Sequence, residues 1–202
     1  MNIIYKVQRL TLLSILSASL ASLPLCALGN WKLLEGESDI AFVTVKNSAI
    51  AESHTFERFS GTVTNAGVAS VQIDLASVQT QIPIRNERMG TMLFNIEKFP
   101  QLDINATLDV TKIAKMEEGA SIHMSLPAEI TLHGAEAGLP LPVVVTRLSS
   151  QRYQVVTSKP VIVYASQFDL AAGVEALRMI ANLTTITPAV PVTFSLIFEQ
   201  AL

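Results

Sequence analysis

Along most of the chain, apolar and polar residues alternate with a period of two. In Val71-Gln72-Ile73-Asp74-Leu75 the odd positions are apolar and the even ones polar. Leu102, Ile104, Ala106, Leu108 and Val110 alternate with Asp103, Asn105, Thr107 and Asp109. Ile122, Met124 and Leu126 alternate with His123 and Ser125, and Val192, Phe194, Leu196 and Phe198 with Thr193, Ser195 and Glu199, Ile197 breaking the last series. Each pattern describes a strand with one apolar face and one wetted face. Further strands are expected at 38–46, 56–64, 141–149 and 152–163, for about eight in all. Turn signals separate them at Asn65-Ala66-Gly67, Glu118-Gly119, the stretch from Gly134 to Pro142, and Ser149-Ser150-Gln151. Short connections imply antiparallel neighbours. A shared apolar face is hidden either by stacking two sheets or by rolling one into a barrel, and periodicity does not choose between them.

Two segments depart from the strand period. Residues 85–94 read as a short helix with Met89, Met92 and Leu93 on one side. Residues 173–181 are a second short helix, entered at Gly173 and kept short by Pro188.

Residues 1–29 have the composition of a secretory signal. Lys6 and Arg9 form a positive start, Leu10 to Leu23 an apolar stretch short for a membrane span, and Ala27-Leu28-Gly29 a cleavage site. Cleavage is expected after Gly29, with Ala27 as the alternative, leaving 30–202 as one domain. Cys26 is the only cysteine and follows Leu25, a poor context for lipidation, so the mature chain has no disulfide. Without Lys6 and Arg9, 12 basic residues face 17 acidic ones, a formal charge of −5 with no basic stripe, which disfavours nucleic acid as a partner. No later apolar run spans a bilayer, so no stable membrane insertion is expected after cleavage. A homodimer is compatible with the sequence.

Residues able to carry catalysis are sparse. His54, His123 and His133 lie in no metal-ligand spacing and read as surface or loop histidines. Glu117-Glu118 is a solvated hairpin pair, and neither a nucleophile elbow nor a phosphate loop is present. No catalytic residue, metal or cofactor is expected. The densest charge among apolar neighbours is Arg85, Glu87 and Arg88, read either as a solvated ion-paired face or as arginines at a pocket mouth meeting a ligand's polar head.

In order and spacing, several strings resemble the YceI-like family of secreted, lipocalin-like β-barrels. They are Trp31-Lys32-Leu33 with Ser38-Asp39-Ile40-Ala41-Phe42, then Phe59-Ser60-Gly61, then Val71 to Thr80. The helix from Arg85 to Phe94 follows, leading to Lys98-Phe99-Pro100-Gln101-Leu102, then Ile130-Thr131-Leu132-His133-Gly134 and Gln167-Phe168-Asp169-Leu170. Departures mark a divergent branch: Arg85-Asn86-Glu87-Arg88-Met89 stands where the family has Arg-Asp-x-His-Leu, Asn95 replaces the second of two phenylalanines, and the 173–181 helix replaces a shorter connection. The resemblance implies an all-β, antiparallel eight-stranded barrel whose lumen takes a polyisoprenoid or other long-chain amphiphile.

A non-catalytic periplasmic binding protein that holds an apolar small molecule in its barrel is therefore expected. The alternative is a structural or stress-related protein with a packed barrel. Phe42, Ile73, Ile104, Leu108, Met124 and Phe194, on the apolar phase of their strands, are expected in the lumen. Met89, Leu93 and Phe94 are expected to line or close one end, with Arg85 or Arg88 beside the ligand's head.

Overall fold

The computed structural model describes residues 31–201. The expected signal segment, its expected cleavage site and Cys26 lie outside them. Twelve strands form among the described residues. They are β1 (Trp31–Leu33), β2 (Asp39–Lys46), β3 (Ile50–Phe56), β4 (Phe59–Val63), β5 (Val68–Asp74) and β6 (Val78–Gln79), then β7 (Gln101–Thr107), β8 (Ser121–Leu132), β9 (Ala135–Ser149), β10 (Arg152–Thr157), β11 (Val161–Tyr164) and β12 (Ala189–Gln200). The strands outnumber the sequence estimate because long paths are interrupted. A 3-10 turn at Glu35–Glu37 separates β1 from β2, Glu57-Arg58 separates β3 from β4, and Ser158-Lys159-Pro160 separates β10 from β11.

Eight antiparallel strands close a ring in the order β1-β4-β5-β7-β8-β9-β10-β12, and β12 pairs back onto β1 through Leu33 opposite Phe198. A closed ring leaves no free edge at that level, which a sandwich of two sheets would not achieve. At the other end the wall continues as β2 on β12, β3 on β2 and β6 on β3.

Chain direction sorts the connections between the two ends. The β4–β5 turn, the β7–β8 connection and the β9–β10 turn share one end with Trp31 and Gln200. The β2–β3 hairpin, residues 75–100, the His133-Gly134 turn and residues 165–188 share the other. The second end holds most of the helical structure. α1 (Pro83–Arg88) continues as a π-helical turn (Met89–Phe94) that stops at Asn95, whose φ of 49° lies in the left-handed region asparagine tolerates. The later helix (Ala171–Ile180) crosses this turn at Gly173, where a Cβ would stand 2.8 Å from the Met92 carbonyl oxygen. Glycine is thus inside this helix as a contact point, not at its entry as expected.

The 3-10 turn Ala165–Phe168 packs with these helices to plug this end. Leu75 and Phe168 are fully buried, and Met89, Phe94 and Leu170 join them. Burying each such side chain stabilises by about 1.5–3 kcal/mol.

Three expectations need correction. The strand expected to reach Val110 ends at Thr107, and Val110–Ala114 is a short helix, α2. The Leu108 amide makes the last bond of the β5–β7 register, to the Gly67 carbonyl (2.8 Å), and Asp109 then caps α2 by accepting from the Thr111 amide (3.1 Å). The stretch from Gly134 to Pro142 is no long turn: β9 begins at Ala135 and pairs with β8 throughout. Its prolines fit because residues 135–142 lack a strand partner on their second side, where a missing N–H costs no ladder bond. Finally, β3 was missed between 50 and 56. It places Glu52 and His54 on its inward phase, so it shows no apolar stripe.

Candidate functional site

Register stacks the inward residues in layers. One layer crosses Phe59, Ile73 and Leu102, and the next crosses Gly61, Val71, Ile104, Ile130 and Ala137. A third crosses Val63, Ala69, Ala106, Ala128 and Leu139. On β5 and β7 bulky aliphatics stand toward the plug, while Ala69 and Ala106, paired in register, line the cavity nearer its other end. Eight strands enclose a space that side chains just fill, so small residues such as Ala69 and Ala106 on its wall leave it hollow.

The result is a cavity of about 480 Å³ inside the barrel, within the usual range for small-molecule sites of about 300–1,000 Å³. Its deep end is Leu132, Val163 and Phe168, and its middle includes Val71, Ile104, Ile130 and Leu196. Its other end is formed by Trp31, Val63, Asn65, Leu108 and the α2 residues Val110, Thr111, Ile113 and Ala114. On β7 alone the lining runs from Leu102 to Ala106, about 13 Å of strand at 3.3–3.4 Å per residue. Asn65, Thr111 and Ala114 are also exposed to solvent, so the mouth lies at the α2 end. No lining residue among those described is Asp, Glu, Lys, Arg or His.

The apolar sequence-derived candidates divide into three groups. Ile73, Ile104, Leu108 and Phe194 border the cavity. Phe42, Met89, Leu93 and Phe94 belong to the plug, where Phe42 and Phe56 stand 5.4 Å apart and Phe56 and Phe94 6.2 Å. Met124 packs on the cluster around Val143, Val145 and Tyr153 without lining the cavity.

The arginines sit beyond the plug. Arg85 donates through Nη1 to Glu52 Oε2 (2.6 Å) and through Nη2 to the Thr80 carbonyl (2.7 Å), while Lys46 Nζ stands 2.9 Å from the same Glu52 oxygen. Lys46 and Arg85 hold the Glu52 carboxyl below its usual range. Arg88 is half-buried on the same helix and lines no part of the cavity. Their position follows from the chain path, which runs α1 at the closed end.

His54 also departs from expectation: it is buried, not a surface residue. Its ring stands 5.2 Å from Phe42, and its Nε2 pairs with Thr44 Oγ1 at 2.9 Å. Among the described residues its Nδ1 has no partner. Burial, reinforced by the nearby Arg85 charge, pulls its pKa below the ordinary 6.5. His133 occupies the β8–β9 turn as expected, its ring 4.7 Å from Phe99, and His123 faces solvent.

Sequence reasoning missed Trp31, Ala69, Ala106, Tyr153 and α2 as cavity walls. The alanines carried a readable signal, since they fall on the apolar phase of strands where bulky residues would fill a core.

The YceI-like domain model matches residues 31–198. The chain belongs to the YceI-like family. Among solved structures, this YceI-like domain is similar to a polyisoprenoid binding domain from Saccharophagus degradans implicated in plant cell wall breakdown. The two are 32% identical with a TM-score of 0.84, over 86% of this chain and 100% of that one. Burkholderia cenocepacia BcnA shares the fold at 16% identity and a TM-score of 0.63, covering 82% of this chain and 98% of its own. A Campylobacter jejuni YCEI protein shares it at 12% identity and a TM-score of 0.55, covering 74% of this chain and 85% of its own. No curated protein matches this sequence.

Proposed function

We propose that this YceI-like domain is exported to the periplasm and holds one apolar, long-chain molecule of isoprenoid or fatty type in its barrel, binding it without chemical change. The apolar cavity of about 480 Å³ carries this reading. A solid barrel of the same topology would favour the structural alternative. Withdrawing an apolar chain from water contributes about 0.8 kcal/mol per CH₂ before ordering costs. The similarity to a protein described as a polyisoprenoid binding domain supports the isoprenoid class.

Phe42, Met89, Leu93 and Phe94 close the deep end as a plug, and Ile73, Ile104, Leu108 and Phe194 contact the tail. Native mass spectrometry of protein from a periplasmic extract tests the proposal. A co-purifying species of several hundred daltons, released into organic solvent, is the expected result. Protein that is empty from its own host and takes up no isoprenoid in vitro would overturn binding and promote the structural reading. N-terminal sequencing of the same material is expected to begin at Asn30.

A further inference from the structure

Resting on the binding reading, we infer that Phe168 is the floor of the lumen and sets the length of hydrocarbon chain the barrel accepts. Two properties meet in this side chain. It borders the cavity at its deep end, beside Leu132 and Val163, and it is fully buried as a member of the plug. The ring is therefore a partition between the lumen and the packed end of the barrel. The plug cluster it joins holds Leu75, Met89, Phe94 and Leu170, all buried and all apolar. Removing the ring thus deepens an apolar lumen.

The partition is fixed in place. Phe168 ends the 3-10 turn Ala165–Phe168, and that turn is fastened at both ends. The Tyr164 amide donates to Gln167 Oε1 (2.9 Å) and the Ala165 amide to the Pro188 carbonyl (2.9 Å). Beyond Phe168 the chain reverses at Asp169, φ 54°, and the Leu170 amide returns to the Ala165 carbonyl (2.9 Å). The helix Ala171–Ile180 then packs on this turn and on the π-helical turn, meeting the latter at Gly173. A chain that reaches the floor cannot go deeper, and any excess length is left at the mouth, where Asn65, Thr111 and Ala114 are exposed to solvent. Each CH₂ left in water forfeits up to about 4-fold in affinity relative to a chain that fits. The distance from Phe168 to the mouth is thus a ruler.

The test loads the protein from phosphatidylcholine vesicles that hold an equimolar mixture of all-trans prenyl alcohols, from geraniol to solanesol. Native mass spectrometry reads which lengths are retained. The wild type is expected to show a cut-off, with occupancy falling at least about 10-fold for each further isoprene unit. Phe168→Ala opens the floor and is expected to move the cut-off up by on the order of one isoprene unit. Val163→Phe adds a ring to the deep end without excavating the core, and is expected to move the cut-off down by about the same amount. Val143→Ala is the control: it thins a buried wall residue that borders no part of the cavity, and is expected to leave the cut-off in place. Should Phe168→Ala fail to fold, Val163→Phe alone decides. A wild-type profile without a cut-off, a cut-off that neither ring variant moves, or one that Val143→Ala moves as far, would overturn the ruler while leaving the binding function standing. If the wild type retains none of the alcohols, the function proposed above fails and this inference with it.

Discussion

Enlarging Ala106 separates a hollow barrel from a packed one by the sign of the effect. Ala106 lies opposite Ala69 and Ala128 in register and borders the cavity. In Ala106→Leu the three added carbons enter existing apolar space. At about 0.8 kcal/mol per buried CH₂ they contribute up to about 2.4 kcal/mol. Fixing the new rotamers costs about 0.5–1 kcal/mol. The net is a stabilisation of about 1.5 kcal/mol. In a domain of this size each 1 kcal/mol moves the melting temperature by about 2–4 °C, so the empty protein is expected to melt about 3–6 °C higher. The same substitution in a filled core forces side chains off their rotamers and costs about 1–3 kcal/mol. Ligand response gives the second reading. At a hundred times Kd a ligand stabilises the wild type by about 2.7 kcal/mol, and the leucine, occupying the tail's path, is expected to shrink that gain. Scanning calorimetry of both proteins, with and without geranylgeraniol, measures both quantities. A fall in melting temperature of the empty variant, or an undiminished ligand response, would refute the hollow lumen.

Other perturbations probe the plug, the mouth and the buried polar cluster. Phe168→Ala removes a fully buried ring from the plug and is expected to cost about 3–5 kcal/mol in urea-induced unfolding, as large-to-small core changes do. Gly67→Ala places a Cβ against the Leu108 carbonyl at a backbone φ of +83°, and is expected to cost about 1–3 kcal/mol and to speed hydrogen exchange in α2. For His54 the lowered pKa means that the unfolded chain binds the proton more tightly. Stability is therefore complete above the unfolded value of 6.5 and declines as pH falls below it, toward the folded value. Glu52 adds a second decline below 4.5, where the unfolded carboxylate begins to take up protons ahead of the folded one. Urea midpoints measured from pH 8 to 4 are expected to lose the upper decline in His54→Gln, and persistence of that decline would remove His54 as its source.

The strand content was legible because period-two alternation is a local property: burial of one face dictates it residue by residue. The ladders through 71–74, 102–107, 122–126 and 192–198 stand where the pattern put them, Leu75 already belonging to a 3-10 turn. β3 was not legible, because its inward positions hold Glu52 and His54, whose polar partners are Lys46 and Thr44 on the neighbouring strand and Arg85 on α1. β9 was hidden by its prolines, which are punished only where a neighbouring strand needs their N–H, and the sequence does not show where a neighbour is missing.

The candidate site divides the same way. The apolar phase placed Ile73, Ile104 and Phe194 on the cavity wall, since a strand fixes which face a side chain takes. It could not say how far along the barrel each one lies. Phe42 and Met124 share that phase yet pack against other side chains, because depth depends on register between strands distant in the chain. Arg85 was drawn toward the ligand by its apolar neighbours in sequence, but the direction of β5 and β6 carries α1 to the closed end and gives the guanidinium to Glu52. The sequence by itself determined most of the strands, their faces and the family. Only the closed tertiary structure decided which inward residues meet across the lumen and where alanines fall opposite one another, because a void belongs to several strands at once.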